Sequence, residues 1–392
     1  NPFRWPAFQQ LNLTNWISMP RMLNHYPDLR MWSEEHWRMT RELLALLRKA
    51  GQNILPAFFF LPISNGACLF DPQEKIRGRY RFGFSHFDRL VTMGLELGFE
   101  RIEGGHLGCK KRLSNNGKLD GKALDLYTYV PDHRRKSGWR HVKFESVEAH
   151  EYLGQFLQAL RKHLKSRGWQ SRYIQHVADE PFKPVIESYV RACEFVRAQW
   201  PGITLIDAAS DHAAALALDI PVPELDYLES PVELHSHLDF YRSLKARGKA
   251  PWYYVCCYPA VPYLNRFIDY PLNKGRLLAW LAFQYGFSGF LHWGANMWSR
   301  KPGGNLYEQH GSGDGFIIYP GPDGPIPSLR WLAMRFGVEE YEVLYHLKES
   351  RKRRANAIAS GIVRGATDYD CDVKTVRNAR RHLFACLADG SR

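Results

Sequence analysis

Apolar residues recur along the chain at two alternating spacings. Short runs, continuous or of period two, at Leu11–Ile17, Ile54–Leu61, Arg101–Leu107, Tyr173–Val177, Thr204–Ala208, Glu224–Glu229, Trp252–Cys257 and Gly289–Trp293 read as strands of five to eight residues. Between them, stretches with apolar positions three and four apart read as helices over Glu34–Ala50, Phe87–Leu97, Val147–Arg167, Pro184–Gln199, Leu238–Arg247 and Lys274–Tyr285, with a short one at Ala213–Ala217. Strands alternating with helices predict βαβ units and a parallel sheet. Eight such strands predict a (β/α)8 barrel of the TIM type, an α/β fold whose active sites lie at the C-terminal ends of the strands.

A barrel takes roughly 250 residues, so 392 residues accommodate one barrel domain over the whole chain, 1–392, with insertions. Residues 62–86 and 108–146 are polar stretches that follow the second and third strands and read as long loops. Beyond residue 325, helices over Ser328–Glu349 and near Val373–Leu387 read as a C-terminal helical extension. No internal repeat or low-complexity segment interrupts the pattern.

The segment His176–Val177–Ala178–Asp179–Glu180–Pro181 places two adjacent carboxylates where the fourth strand ends and a helix follows. In a barrel that position aims both acids into the cleft. Neighbouring carboxylates repel, so burial of the pair raises one pKa, and a raised carboxyl is what a general acid needs near neutral pH. The same dipeptide has a structural explanation, because Asp ends strands and Glu opens helices through capping and dipole effects.

The net charge of +13 invites a nucleic-acid reading, but the cations are scattered and no nucleic-acid motif accompanies them. A solvated surface or attraction to an acidic polysaccharide accounts for the charge equally well. Seven cysteines, Cys68, Cys109, Cys193, Cys256, Cys257, Cys371 and Cys386, form neither a CxxC pair nor a regular framework, so neither a metal site nor a disulfide scaffold is expected. Cys256 and Cys257 fall in a strand pattern, which would turn one thiol into the barrel and the other under a helix. No run of apolar residues is long enough to span a bilayer. The chain opens on Asn1–Pro2 rather than Met, as a processed or trimmed product would, and a secreted or periplasmic protein is expected, with a cytoplasmic one the alternative.

Four patches carry a family resemblance: Asp179–Glu180 after its strand, Trp252–Tyr253–Tyr254–Val255–Cys256–Cys257–Tyr258–Pro259, the Gly289–Trp298 segment, and Gly313–Asp314–Gly315 leading to the run Tyr319–Arg330. Over about residues 10–350 the chain resembles the catalytic domain of glycoside hydrolase family 123, the β-N-acetylgalactosaminidases. The resemblance implies exo-acting release of terminal β-linked N-acetylgalactosamine from a glycan or glycoconjugate, with retention and no cofactor. The attacking group would be the sugar's own 2-acetamido oxygen, an exception to the usual pair of enzyme carboxylates. On this chain, Glu180 would be the general acid and base, and Asp179 would hold the acetamido N–H and stabilise the oxazolinium. Relatives commonly carry a β-sandwich before the barrel, and this sequence is expected either to have had it removed or to be a barrel-only variant. The alternatives are a related hydrolase of another β-hexosaminide or modified glycan, and a non-catalytic carbohydrate-binding barrel.

Aromatic residues are 14% of the chain, and flat apolar sugar faces stack on such rings. Trp293 at the end of the eighth strand, Tyr258 after the seventh and Trp298 in the following loop are the candidate platforms, with core packing the competing role for each. Polar groups at other strand ends could complete a sugar pocket: Asn15, His106 behind Gly104–Gly105, Asp226 and Asn296. His235 and His237 resemble a two-ligand metal arm but lack a third ligand. The Gly311–Gly315 loop lacks the Lys–Ser/Thr of a phosphate cradle and reads as a turn feeding a hairpin that closes at Asp323–Gly324.

Overall fold

The computed structural model describes residues 9–58, 69–76, 78–111, 124–132, 134–135, 138–229, 237–307 and 311–388. The chain forms two compact units, one of residues 1–54 with 224–392 and one of residues 55–223. Both are mixed α/β, built on parallel strands.

In the first unit, strands Asn12–Asn15, Gly289–His292 and Tyr253–Tyr254 form a parallel sheet with Gly289–His292 in the centre. Its register pairs Asn12 with Gly289 and Asn15 with His292. Gly289 is required by close packing, since a Cβ there would lie 2.3 Å from the Trp252 ring. The far edge of Asn12–Asn15 is satisfied by side-chain amides. Leu13 N donates to Asn53 Oδ1 at 2.9 Å, Asn15 N to Gln52 Oε1 at 3.0 Å, and Gln52 Nε2 returns to Asn15 O at 3.2 Å. Helix Glu34–Lys49 begins on Ser33, whose hydroxyl accepts from His36 N, carries Glu34 and Glu35 in its first turn, and ends on Arg48 and Lys49. Its Leu43, Leu44 and Leu47 are fully buried.

The second unit holds a five-stranded parallel sheet in the order Ile220–Val222, Thr204–Ala208, Tyr173–Gln175, Arg101–Gly104, Ile54–Ala57. Glu103 pairs with Ile174 and Leu205 with Gln175, which brings the C-terminal ends of three adjacent strands level. Helices Val147–Ser166 and Ile186–Gln199 bury Leu153, Phe156, Leu157 and Leu160, and Tyr189, Ala192, Cys193 and Val196.

Several expectations are corrected. Seven of the eight expected strands, with Ile220–Val222 in place of the sixth, are organised as a three-stranded and a five-stranded parallel sheet, and a closed barrel ladder is not shown among the described residues. The strands are short, two to five residues each, and amides rather than a neighbouring strand take one edge. The sixth strand is Ile220–Val222; the expected Glu224–Glu229 contains helix Leu225–Leu228, whose buried Leu225 and Leu228 are spaced three apart, a helical period. Only Tyr253–Tyr254 of Trp252–Cys257 is a strand, so Cys256 and Cys257 leave the sheet, and Cys257 is exposed. The polar stretches read as loops contain an antiparallel hairpin, Asp71–Ile76 with Arg79–Gly83, and a three-stranded antiparallel sheet, Cys109–Lys111, Asp125–Pro131 and Trp139–Lys143. Residues 59–68 and 112–123 lie outside the described residues. The helix expected at Ser328–Glu349 runs on as Leu329–Ser360 with a break at Arg351, followed by Val373–Ala388. The hairpin Ile318–Pro320 with Pro325–Pro327 forms as expected, closed by Gly321 N to Gly324 O at 2.8 Å.

Candidate active site

Three neighbouring strand ends of the second unit converge on a buried row of charges. Glu103, His176 and Asp207 are each 0% exposed. His176 Nδ1 lies 2.7 Å from Asp207 Oδ1, and Nε2 lies 2.7 Å from Glu103 Oε1. Two carboxylate acceptors demand two ring N–H donors, so the ring is an imidazolium. Burial disfavours that cation, but the bonds to Asp207 and Glu103 outweigh it and push the His176 pKa up to about 9.

The second oxygen of Asp207 fastens the chain that leads to the acid pair. It accepts Val177 N at 2.8 Å, Ala178 N at 3.1 Å and the Tyr189 hydroxyl at 2.7 Å. Gly108 N donates to Val177 O at 2.8 Å, Glu180 N donates to Ala208 O at 3.0 Å, and Lys110 Nζ donates to Glu180 O. Held on these sides, Glu180 adopts φ 45°, in the left-handed region that non-glycine residues seldom occupy. Such a conformation costs on the order of 1–3 kcal/mol and persists where surrounding contacts over-determine it, often at functional sites.

His106 approaches the pair from the third strand through Gly104–Gly105. A Cβ at Gly104 would sit 1.9 Å from the Tyr173 hydroxyl oxygen, so glycine is what lets the strand end pass. The buried His106 ring lies 4.6 Å from that of His176, with Nε2 3.5 Å from Asp207 Oδ1 and 3.9 Å from Asp179 Oδ1. Burial first, then the His176 cation, hold its pKa down to about 3, against the pull of Asp207. His106 is therefore neutral near pH 7, beside a charged histidine.

The Asp179 side chain is 50% exposed. Desolvation raises its pKa, Lys110 opposes the rise, Asp207 adds to it and His176 opposes it. Solvent at the open half tempers this shift. The carboxylate that raises Asp179 is thus Asp207, across the sheet, where repulsion within the Asp179–Glu180 dipeptide was expected. Glu180 is exposed.

Ligand atoms of His106, His176 and Asp207 all lie within 4.8 Å of one another, a spacing that could suit a metal ion. Both His176 nitrogens are already taken by carboxylates, which fits a hydrogen-bonded imidazolium and not a metal ligand.

A family model described as "Glycoside hydrolase 123, catalytic domain" matches residues 16–347. The chain belongs to glycoside hydrolase family 123. Among solved structures it is similar to a family 123 glycoside hydrolase from Clostridium perfringens, studied for glycolipid glycan hydrolysis, with a TM-score of 0.72 and 17% identity over 97% of this chain and 69% of that one. Looser likenesses reach a β-galactosidase from Marinomonas ef1 (TM-score 0.47, 11% identity, 89% of this chain and 62% of that one) and an endo-1,4-β-mannanase from Rhizomucor miehei (0.44, 8%, 73% and 86%). No curated protein matches the chain.

The other residues singled out in this family 123 chain lie in the first unit and divide by their partners. Trp293 is half-buried and donates Nε1 to the buried carboxylate of Asp314 at 2.6 Å, with Gly315 so close that a Cβ there would lie 2.6 Å from the indole. Tyr258 is exposed. Trp298 is fully buried, bonded to Ile318 O at 2.8 Å and packed edge-on to His25 and Tyr26. Asn296 clasps Ser18 through both ends of its amide, at 2.9 and 3.0 Å. Asn15 is buried and bonded to Gln52, Met334 and Arg266. Both amides are committed within the protein. Asp226 sits on helix Leu225–Leu228, not in a strand. His237 stacks on Tyr227 at 4.1 Å, and His235 lies outside the described residues.

The apolar pattern and the motifs do not single out Glu103, Asp207, Lys110 or Tyr189. Two left a signal: an acid inside each of the apolar runs Arg101–Leu107 and Thr204–Ala208, where carboxylates are seldom buried unless paired.

Proposed function

We propose that this family 123 hydrolase releases terminal β-linked N-acetylgalactosamine from a glycan, glycolipid glycans included, by substrate-assisted catalysis with retention. One observation carries the reading: Asp179 and Glu180 stand adjacent on a strained turn, with Asp179 facing the buried Glu103–His176–Asp207 row and the neutral His106. Glu180 protonates the glycosidic oxygen as the 2-acetamido carbonyl oxygen attacks the anomeric carbon and the bond to the leaving group breaks. Asp179 accepts the acetamido N–H and balances the oxazolinium charge. Glu180, now a carboxylate, takes a proton from water that opens the oxazolinium from the face the leaving group left. No separate enzyme nucleophile is needed, which suits a site whose two acids share one turn.

The test is the anomer first released from p-nitrophenyl N-acetyl-β-galactosaminide, followed by proton NMR before mutarotation. The β-anomer is expected. The α-anomer would show inversion and remove the oxazolinium step.

A further inference from the structure

We propose that Lys110 is a positioning residue for the acid pair, holding the carbonyl of Glu180 in its left-handed turn while its ammonium faces the Asp179 carboxyl. The inference rests on the acid roles given above, and it begins with strand alternation.

Successive side chains of a strand point to opposite faces. In Cys109–Lys111, Lys111 turns to one face, where Nζ lies 3.2 Å from the Tyr129 hydroxyl and 2.5 Å from His141 Nε2. Lys110 turns to the other. Its Nζ donates to Glu180 O and stands 5.0 Å from the centre of the Phe182 ring, a cation–π distance. The strand itself is fixed, because Gly108 forms a parallel bridge with Ala178 and the Thr128 hydroxyl donates to Leu107 O at 2.6 Å. The three-stranded insertion thus delivers one ammonium to the residue with the strained backbone.

Glu180 needs that contact. Ala208 O already takes its N–H, and Lys110 takes its carbonyl, so the peptide groups on both sides of φ 45° are tied. Among the described residues the Lys110 ammonium has no carboxylate at ion-pair distance, so its field acts on the groups around Asp179. Those groups are His106 from the loop after the third strand, His176 from the fourth, Asp207 from the fifth and Glu180 beside it. His106 is neutral, His176 is a cation and Asp207 is an anion. Lys110 is the cation that offsets desolvation most at Asp179.

The experiment compares the parent with Lys110→Met and Lys110→Arg. It reads the pH dependence of kcat/KM on p-nitrophenyl N-acetyl-β-galactosaminide and the carbon-13 titration of the Asp179 carboxyl. Removing a cation raises a carboxyl pKa. In Lys110→Met the acid limb and the Asp179 midpoint therefore both move up, by about half a unit or more. Its kcat falls about tenfold with KM within about threefold, since the lost contact orients the acid rather than binds substrate. Lys110→Arg recovers most of both. A Lys110→Met protein with the parent's limb and the parent's Asp179 midpoint would overturn the proposal. Should the parent hydrolyse no β-hexosaminide, the acid-role reading fails on its own, and the carbon-13 midpoint alone still decides whether Lys110 governs Asp179.

Discussion

The backbone N–H of Glu180 donates to the carbonyl of Ala208, 3.0 Å away on the adjacent strand end. The residue before Ala208 is Asp207, whose carboxylate holds Val177 N and Ala178 N. One strand end therefore fixes the fourth-strand turn from both its approach and its apex. Replacing Asp207 by Asn keeps the shape but removes the charge that pairs with His176. Breaking a buried charge pair costs about 3–5 kcal/mol. Asp207→Asn is expected to lower the urea midpoint strongly and to reduce kcat about a hundredfold or more, with KM changed far less. Unchanged kcat in a folded protein would show that the turn does not need this anchor.

His176 links stability to pH. Its folded pKa of about 9 lies above the ordinary 6.5, so the folded state holds the proton more tightly. The stabilisation from the Glu103–His176–Asp207 row is fully present below about pH 6.5 and is lost as pH rises towards about 9. Urea unfolding from pH 6 to 9.5 checks this: the parent loses stability over that window, and His176→Gln loses less. A parent flat across the window would mean that His176 is neutral.

For Asp179 the sign is opposite in its consequence. The reading needs the carboxylate form, and burial with Asp207 beside it raises the pKa. Activity should therefore fall as pH drops through a value above the ordinary 3.8, while the open half of the side chain limits the rise. In the pH profile of kcat/KM this is an acid limb displaced upward from the usual carboxylate range. A limb at or below 3.8 would contradict the raised Asp179 pKa that desolvation and Asp207 produce.

Asn296 tests the division between packing and pocket. Its amide satisfies both backbone groups of Ser18, and leaving such groups unpaired costs about 1–3 kcal/mol. Asn296→Ala is expected to lose stability of that order while the folded fraction keeps the parent KM. A raised KM without a stability loss would show that Asn296 contacts the sugar.

What could be read from the sequence follows from how local each cause is. The apolar period locates seven of the eight parallel strands and most helices among the described residues, because burial acts residue by residue. It misread Glu224–Glu229, where Leu225 and Leu228 satisfy a helical period as well as a strand's composition. The polar insertions hid the sheet Cys109–Lys143, whose Lys110, Arg140 and His141 are polar on faces that tertiary contacts occupy. Asp179, Glu180 and His106 stand out in the sequence through a motif and a glycine pair, and the structure brings His106 within 3.9 Å of Asp179. The partners of Trp298, Asn15 and Asn296 do not show in the sequence, since a place at a strand end does not reveal that Ile318, Arg266 and Ser18 already claim their polar atoms.

The most direct test is hydrolysis of paired p-nitrophenyl β-glycosides of N-acetylgalactosamine, N-acetylglucosamine and galactose by the parent, Glu180→Gln and Asp179→Asn proteins. The account predicts turnover of the N-acetylgalactosaminide by the parent and its loss in both variants. Equal or faster turnover of the galactoside, which has no acetamido group to attack with, would contradict it.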